Sequence, residues 1–114
     1  TAFYGQQTIL PLWERPTITI ETPAQNISRL QSVTLRLGLE DKNGPSGTLR
    51  GRFNGHPFTV DLDANQSIKN FFEYVDVTIP VNKLQDVNKI TLSLKNYSTI
   101  LSHAKLTIRA VAAD

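Results

Sequence analysis

The 114-residue sequence contains neither cysteine nor methionine, one tryptophan and two histidines. Without cysteine it forms no disulfide and no thiolate metal site, while its compartment stays open. His56 and His103 are the whole histidine complement, so no histidine cluster exists for zinc. No apolar run approaches the ~20 residues that a membrane-spanning helix needs. No stretch beyond about ten residues keeps an apolar period of 3.6, which excludes long amphipathic helices. Gly-x-Ser-x-Gly elbows and phosphate-cradling glycine loops are also missing. A net charge of only +2 leaves no general basis for nucleic-acid binding, which would require a concentrated basic patch.

What the sequence does have is alternation. Apolar residues are 39% of the chain and charged residues 19%, values that suit one folded domain spanning 1–114. Beginning at Thr1, the chain reads as a mature product or a piece of a longer polypeptide. In SVTLRLGLE, Val33, Leu35, Leu37 and Leu39 face one way and Thr34, Arg36 and Glu40 the other. The same period of two runs through YVDVTIP, NKITLSLK and HAKLTIRA, and more briefly through TITIE and PFTVDL. That is the pattern of antiparallel strands with one buried face. Turn residues punctuate it at Pro23, at DKNGPSG (41–47), at Asn54-Gly55 and at DANQS (63–67). The expected fold is an all-β antiparallel sandwich, jelly-roll-like, of seven to nine strands, with a small barrel as the alternative. VNKLQDVNK (81–89) is expected to hold one helical turn anchored by Leu84 and Val87, and residues 1–16 a segment that clips onto a sheet edge.

Candidate sites are sparse. LRGRFNGHPFTVDL reads first as a hairpin, because both residues of an Asn-Gly turn tolerate positive φ, although Pro57 argues against a plain two-residue turn. His56 is then expected at an exposed hairpin end, either merely solvated or part of a site. Asp61, Asp63 and Asn65 have the spacing that opens a calcium loop, but the glycine and the twelfth-position glutamate of an EF-hand are missing. An Asx-rich turn is the expectation there, with a structural calcium as the alternative, and no cofactor is predicted. No nucleophile has a recognisable partner, and paired catalytic carboxylates are recognised only in space, so an independent enzyme is not expected.

The outward faces offer more. Arg50 and Arg52 project together if Leu49 and Phe53 are buried, and Arg36, Lys105 and Arg109 also face out. They form either a solvated surface or a patch for an anionic polymer. Phe72 and Tyr74 share the face opposite Val75, Val77 and Ile79; unless a bulge or covering loop intervenes, they make a platform for sugar rings. Trp13, held between Pro11 and Pro16, fits a plug at the core edge or a stacking surface equally well.

Over residues 50–108 the chain resembles the non-catalytic β-sandwich domains attached to β-agarases and β-porphyranases. The likeness is carried by Phe53-Asn54-Gly55, by Phe71-Phe72 leading to Ile79-Pro80-Val81, by Leu84, and by Asn88 opening the strand Ile90-Thr91-Leu92. The sequence departs from those domains in NYSTILSHAKL, which lacks their Gly-Gly turn. The resemblance implies a carbohydrate-binding module of a secreted or cell-surface bacterial enzyme that degrades red-algal galactan. Its partners would be agarose or a sulfated galactan and a catalytic domain of the same chain, with no nucleic acid and no membrane span. The binding residues would be drawn from Trp13, Arg50, Arg52, Asn54, His56, Phe72 and Tyr74. The alternative is a structural accessory sandwich packed on a catalytic domain without binding glycan.

Overall fold

The computed structural model describes residues 2–23, 29–63 and 71–110. Eight strands run in order: β1 (Ala2–Pro11), β2 (Thr17–Glu21), β3 (Leu30–Glu40), β4 (Thr48–Phe53), β5 (His56–Asp61), β6 (Phe72–Ile79), β7 (Val87–Ser93) and β8 (Ile100–Ala110). They form two four-stranded antiparallel sheets, ordered β1-β8-β3-β6 and β2-β7-β4-β5. Apart from the β4–β5 hairpin, every consecutive pair of strands crosses between the sheets, which is the jelly-roll interleaving. The sandwich expectation holds, and of the segment expected to clip onto a sheet edge Ala2–Pro11 does so, since β1 pairs along β8.

Alternation builds the core. Val33, Leu35, Leu37 and Leu39 are each 0% exposed and meet Leu49, Phe53, Ile90 and Leu92 of the facing sheet. Burying side chains of this size stabilises by about 1.5–3 kcal/mol each before conformational entropy is subtracted. Leu12 plugs one end of this core from a short 3-10 turn, Leu12–Glu14.

The β4–β5 hairpin has a two-residue turn after all. Phe53 pairs with His56, and Asn54 and Gly55 both take positive φ, 49° and 85°. Pro57 is tolerated because β5 is an edge strand, where a missing N–H interrupts no ladder. His56 is half-buried, on the side of β5 that carries Phe58 and Val60, rather than at an exposed tip.

The turn expected in 81–89 is a 3-10 turn, Val81–Lys83. Leu84 anchors it at 4% exposure, but Val87 does not, being 52% exposed. The backbone is already extended at Leu84, so Val87 opens β7 on its outward phase and Asn88 takes the inward place.

Candidate functional site

Asn88 is fully buried and fully used. Its Nδ2 donates to the Ile20 carbonyl (3.0 Å) and the Thr22 hydroxyl (3.2 Å); its Oδ1 accepts from the Gln85 N–H (2.9 Å) and from Asn54 Nδ2 (2.9 Å). The Asn54 amide also donates to the Lys83 carbonyl (2.7 Å) and accepts from the Lys89 N–H (2.8 Å). Asn54 therefore ties the hairpin to the 81–89 segment, with both of its amide protons spent inside the protein. It sits among structural bonds, in the same hairpin as Arg52 and His56 and on the sheet opposite Phe72 and Tyr74.

At the opposite end, Asp41 plays the matching part for the β3–β4 and β7–β8 connections. Its carboxylate accepts from the Asn43 N–H (3.0 Å), the Ser98 hydroxyl (3.0 Å) and the Thr99 hydroxyl. Burial alone would raise the Asp41 pKa, but hydrogen bonds from Thr99, Asn43, Ser98 and Asn96 outweigh it and hold the carboxyl below its ordinary range. Asp61 and Asp63 belong to an Asx turn here: Asp61 Oδ1 accepts from the Asp63 N–H (3.0 Å) and Asp63 Oδ2 from the Gly47 N–H (3.2 Å). Asn65 lies outside the described residues. Among the described residues, no three His, Asp or Glu side chains gather as a metal site.

The outer face of the β1-β8-β3-β6 sheet is built differently. Its register aligns residues in rows across four strands. One row is Gln7, His103, Gly38 and Tyr74; the next is Gly5, Lys105, Arg36 and Asp76. In the first row, β8 and β6 are not neighbours, and two strand spacings of about 4.8 Å separate them. Yet the His103 and Tyr74 ring centroids lie 5.0 Å apart, at an interplanar angle of 61°. Gly38 makes this approach possible. A Cβ at Gly38 would lie 2.5 Å from His103 Cε1, so the imidazole occupies the space a side chain would take. Phe72 completes the cluster, 4.8 Å from Tyr74 in a T-shaped contact and stacked on His103 at 5.6 Å. Phe72 and Tyr74 share a face as expected, and the β3–β6 register runs through them without a bulge. Tyr74 remains 53% exposed.

The second row is charged. Arg36 and Lys105 stand directly opposite each other, a like-charge pair that a sheet ordinarily disfavours. The strain is relieved sideways. Arg36 grips Asp76 with two parallel bonds, Nε to Oδ1 at 2.8 Å and Nη2 to Oδ2 at 3.0 Å, and its guanidinium carbon lies 5.1 Å from the Tyr74 centroid. Lys105 places its ammonium 4.2 Å from the Phe3 ring centroid. Hydrogen bonding from Arg36 holds the Asp76 carboxyl below its ordinary range, against a smaller effect of burial. Both partners are about half exposed, so the pair adds little to stability. Its consequence is to fix the guanidinium beside Tyr74. Arg109 lines the same cleft as Arg36 and Lys105, so three of the outward cations converge.

The other proposed residues lie elsewhere. Arg50 and Arg52 line a shallow cleft on the outer face of the second sheet, and Arg52 Nη1 donates back to the Gly55 carbonyl at 3.2 Å. Trp13 is 45% exposed at the β1–β2 connection and meets Tyr97 of the β7–β8 connection. His103, Gln7, Phe3 and Tyr97 were not anticipated. Alternation in HAKLTIRA places His103 on the outward phase with Lys105, but that it reaches Tyr74 follows only from strand order.

No family model matches the chain, and no curated protein matches it. Solved structures do. One is the exo-β-1,3-galactanase Pc1,3Gal43A of Phanerochaete chrysosporium with galactose, at TM-score 0.50 and 21% identity, covering 93% of this chain and 27% of that one. Another is CBM35 from Cellvibrio japonicus Abf62, at TM-score 0.49 and 16% identity, covering 88% of this chain and 72% of that one. This chain thus spans about a quarter of the galactanase. The likeness is one of fold, an antiparallel β-sandwich.

Proposed function

We propose that this domain is a non-catalytic carbohydrate-binding module and that the outer face of the β1-β8-β3-β6 sheet holds the glycan. The observation that carries the reading is Tyr74, a half-exposed ring braced by His103 and Phe72 beside the clamped Arg36–Asp76 pair. A braced ring loses little conformational entropy when a sugar's C–H face settles on it. Polar groups around it supply direction: Gln7 from β1 and Lys105 from β8 line the same cleft. An open sheet face that flanks its aromatic cluster with charge, rather than covering it, suits an extended polymer better than a small enclosed substrate.

The target in this reading is a red-algal galactan of the agarose or porphyran kind, as the resemblance over residues 50–108 implies. The parent is a secreted glycoside hydrolase whose catalytic domain does the chemistry. The module's contribution is to raise the local concentration of cleavable chain. Three cations in one cleft, Arg36, Lys105 and Arg109, favour the sulfated polymer over neutral agarose, because guanidinium forks match sulfate oxygens.

Native affinity electrophoresis tests this directly, in gels containing agarose, porphyran, carrageenan or alginate, with and without calcium. The expected result is retardation by a galactan but not by alginate, and its loss in Tyr74→Ala. Unretarded migration in every gel would discard the binding face and leave the structural accessory sandwich as the better account.

A further inference from the structure

Trp13 stands apart from the sheet face, and its surroundings have the makings of a site. It projects from the 3-10 turn Leu12–Glu14, and Tyr97 from the β7–β8 connection; their ring centroids are 5.3 Å apart at an interplanar angle of 48°. Both rings are exposed, Trp13 at 45% and Tyr97 at 83%, so neither serves as the core-edge plug. Leu12 is the plug, at 0% exposure.

The platform beneath the rings is rigid. The Leu12 N–H donates to the Thr99 carbonyl (3.2 Å), and the Leu12 carbonyl accepts from Leu94 (3.4 Å) and Arg15 (3.2 Å). The Ser98 N–H and hydroxyl both donate to Asn96 Oδ1, which pins the loop that carries Tyr97. Arg15 closes the turn in the left-handed region, at φ 55°. Two large aromatics exposed side by side on cross-linked connections make a contiguous apolar patch of the kind that marks a binding site.

The occupant follows from the chemistry of the rim. The cleft between the rings is lined by Arg15 and Lys95 and by no carboxylate. Among the described residues, neither cation has a salt-bridge partner. Two tilted aromatic faces suit the C–H face of a sugar ring, and two unpaired cations suit an anionic substituent on it. We infer that Trp13, Tyr97, Arg15 and Lys95 form a second glycan site, specific for an anionic saccharide and independent of the Tyr74 face. The two sites share no lining residue. Two sites on one domain make its hold on a polymer bivalent, so avidity exceeds the affinity of either alone.

Trp13 is the only tryptophan, so its fluorescence places the probe within this site, and Tyr74→Ala separates a response from the sheet face. The protein is titrated with a sulfated carrageenan tetrasaccharide, a carboxylated alginate tetrasaccharide and neutral neoagarotetraose. Saturable change in Trp13 emission is expected with an anionic sugar, the sulfated and carboxylated arms telling which group is read. Tyr97→Ala and Lys95→Gln, both surface changes, should each weaken it about tenfold, which is about 1.4 kcal/mol. Tyr74→Ala should leave it unchanged. An unresponsive Trp13 with all three sugars overturns the second site, whatever the gels show. Loss of the response in Tyr74→Ala overturns it too, since the signal would then come from the sheet face. Equal response to neoagarotetraose overturns the anionic specificity. A normal Trp13 response together with undiminished gel retardation in Tyr74→Ala would instead sink the sheet-face reading and leave this site standing.

Discussion

At the scale of single residues, side chains that look alike in the sequence do opposite work. Asn54 and Gln7 are both amides on strands or turns, yet Asn54 is consumed by Lys83, Asn88 and Lys89 while Gln7 lines the open cleft. Asn88→Ala would strand the Gln85 N–H, the Ile20 carbonyl and part of Asn54. A loss of about 1–3 kcal/mol is expected for such buried partners, measured by urea denaturation. Asp41 supplies a pH-dependent counterpart. Its folded pKa lies below the unfolded carboxylate value of about 3.9. The carboxylate therefore stabilises the fold fully above that value, and the contribution is lost as pH falls through the folded pKa. Wild type should exceed Asp41→Ala in stability by a constant margin near neutrality, and the margin should shrink below about pH 4.

At the scale of elements, glycine positions decide what neighbouring strands can do. Gly38 lets rings from β8 and β6 meet across β3, and Gly51 on β4 receives the Phe58 ring of β5, whose Cζ would lie 2.4 Å from an added Cβ. Gly38→Val should push the imidazole off Phe72 and Tyr74. Galactan retardation should fall while the midpoint of thermal unfolding moves only a few degrees, a shift of about 1 kcal/mol or less. An unchanged affinity would show that His103 does not brace the platform. The hairpin turn tests the opposite kind of role. Asn54→Ala removes both a residue that tolerates φ of 49° and three hydrogen bonds, so stability should drop by about 2 kcal/mol with the Tyr74 face untouched.

At the scale of the whole molecule, the aromatic and charged residues divide among separate surfaces of one sandwich. Phe72, Tyr74 and His103 share one sheet face with Arg36, Lys105 and Arg109; Arg50 and Arg52 hold the other; Trp13 and Tyr97 hold a corner. The expected consequence is a graded response to salt. If the sheet-face cations read sulfate, raising salt from about 0.05 M to 0.5 M should weaken retention on porphyran far more than on agarose, because exposed charges beyond a Debye length are screened. Equal sensitivity in the two gels would remove charge from the reading and leave stacking alone.

Within the alternating strand segments, which residues face in and which face out was written in the sequence by itself, though not for Val87 or His56 at strand starts. Alternation is a property of a single strand, and the core formed by Val33, Leu35, Leu37, Leu39, Ile90 and Leu92 follows from it. The Asn54-Gly55 turn was legible for the same reason, since positive φ is a local demand met by local residue types. Alternation also put Phe72 with Tyr74, and Arg50 with Arg52. It could not say that His103 would cross Gly38 to reach Tyr74, because residues 38, 74 and 103 become neighbours only through the strand order β8-β3-β6. Nor could it join Trp13 to Tyr97, which lie on two connections brought together by the burial of Leu12. Local backbone geometry decides the face a side chain occupies; long-range packing of the core decides its company.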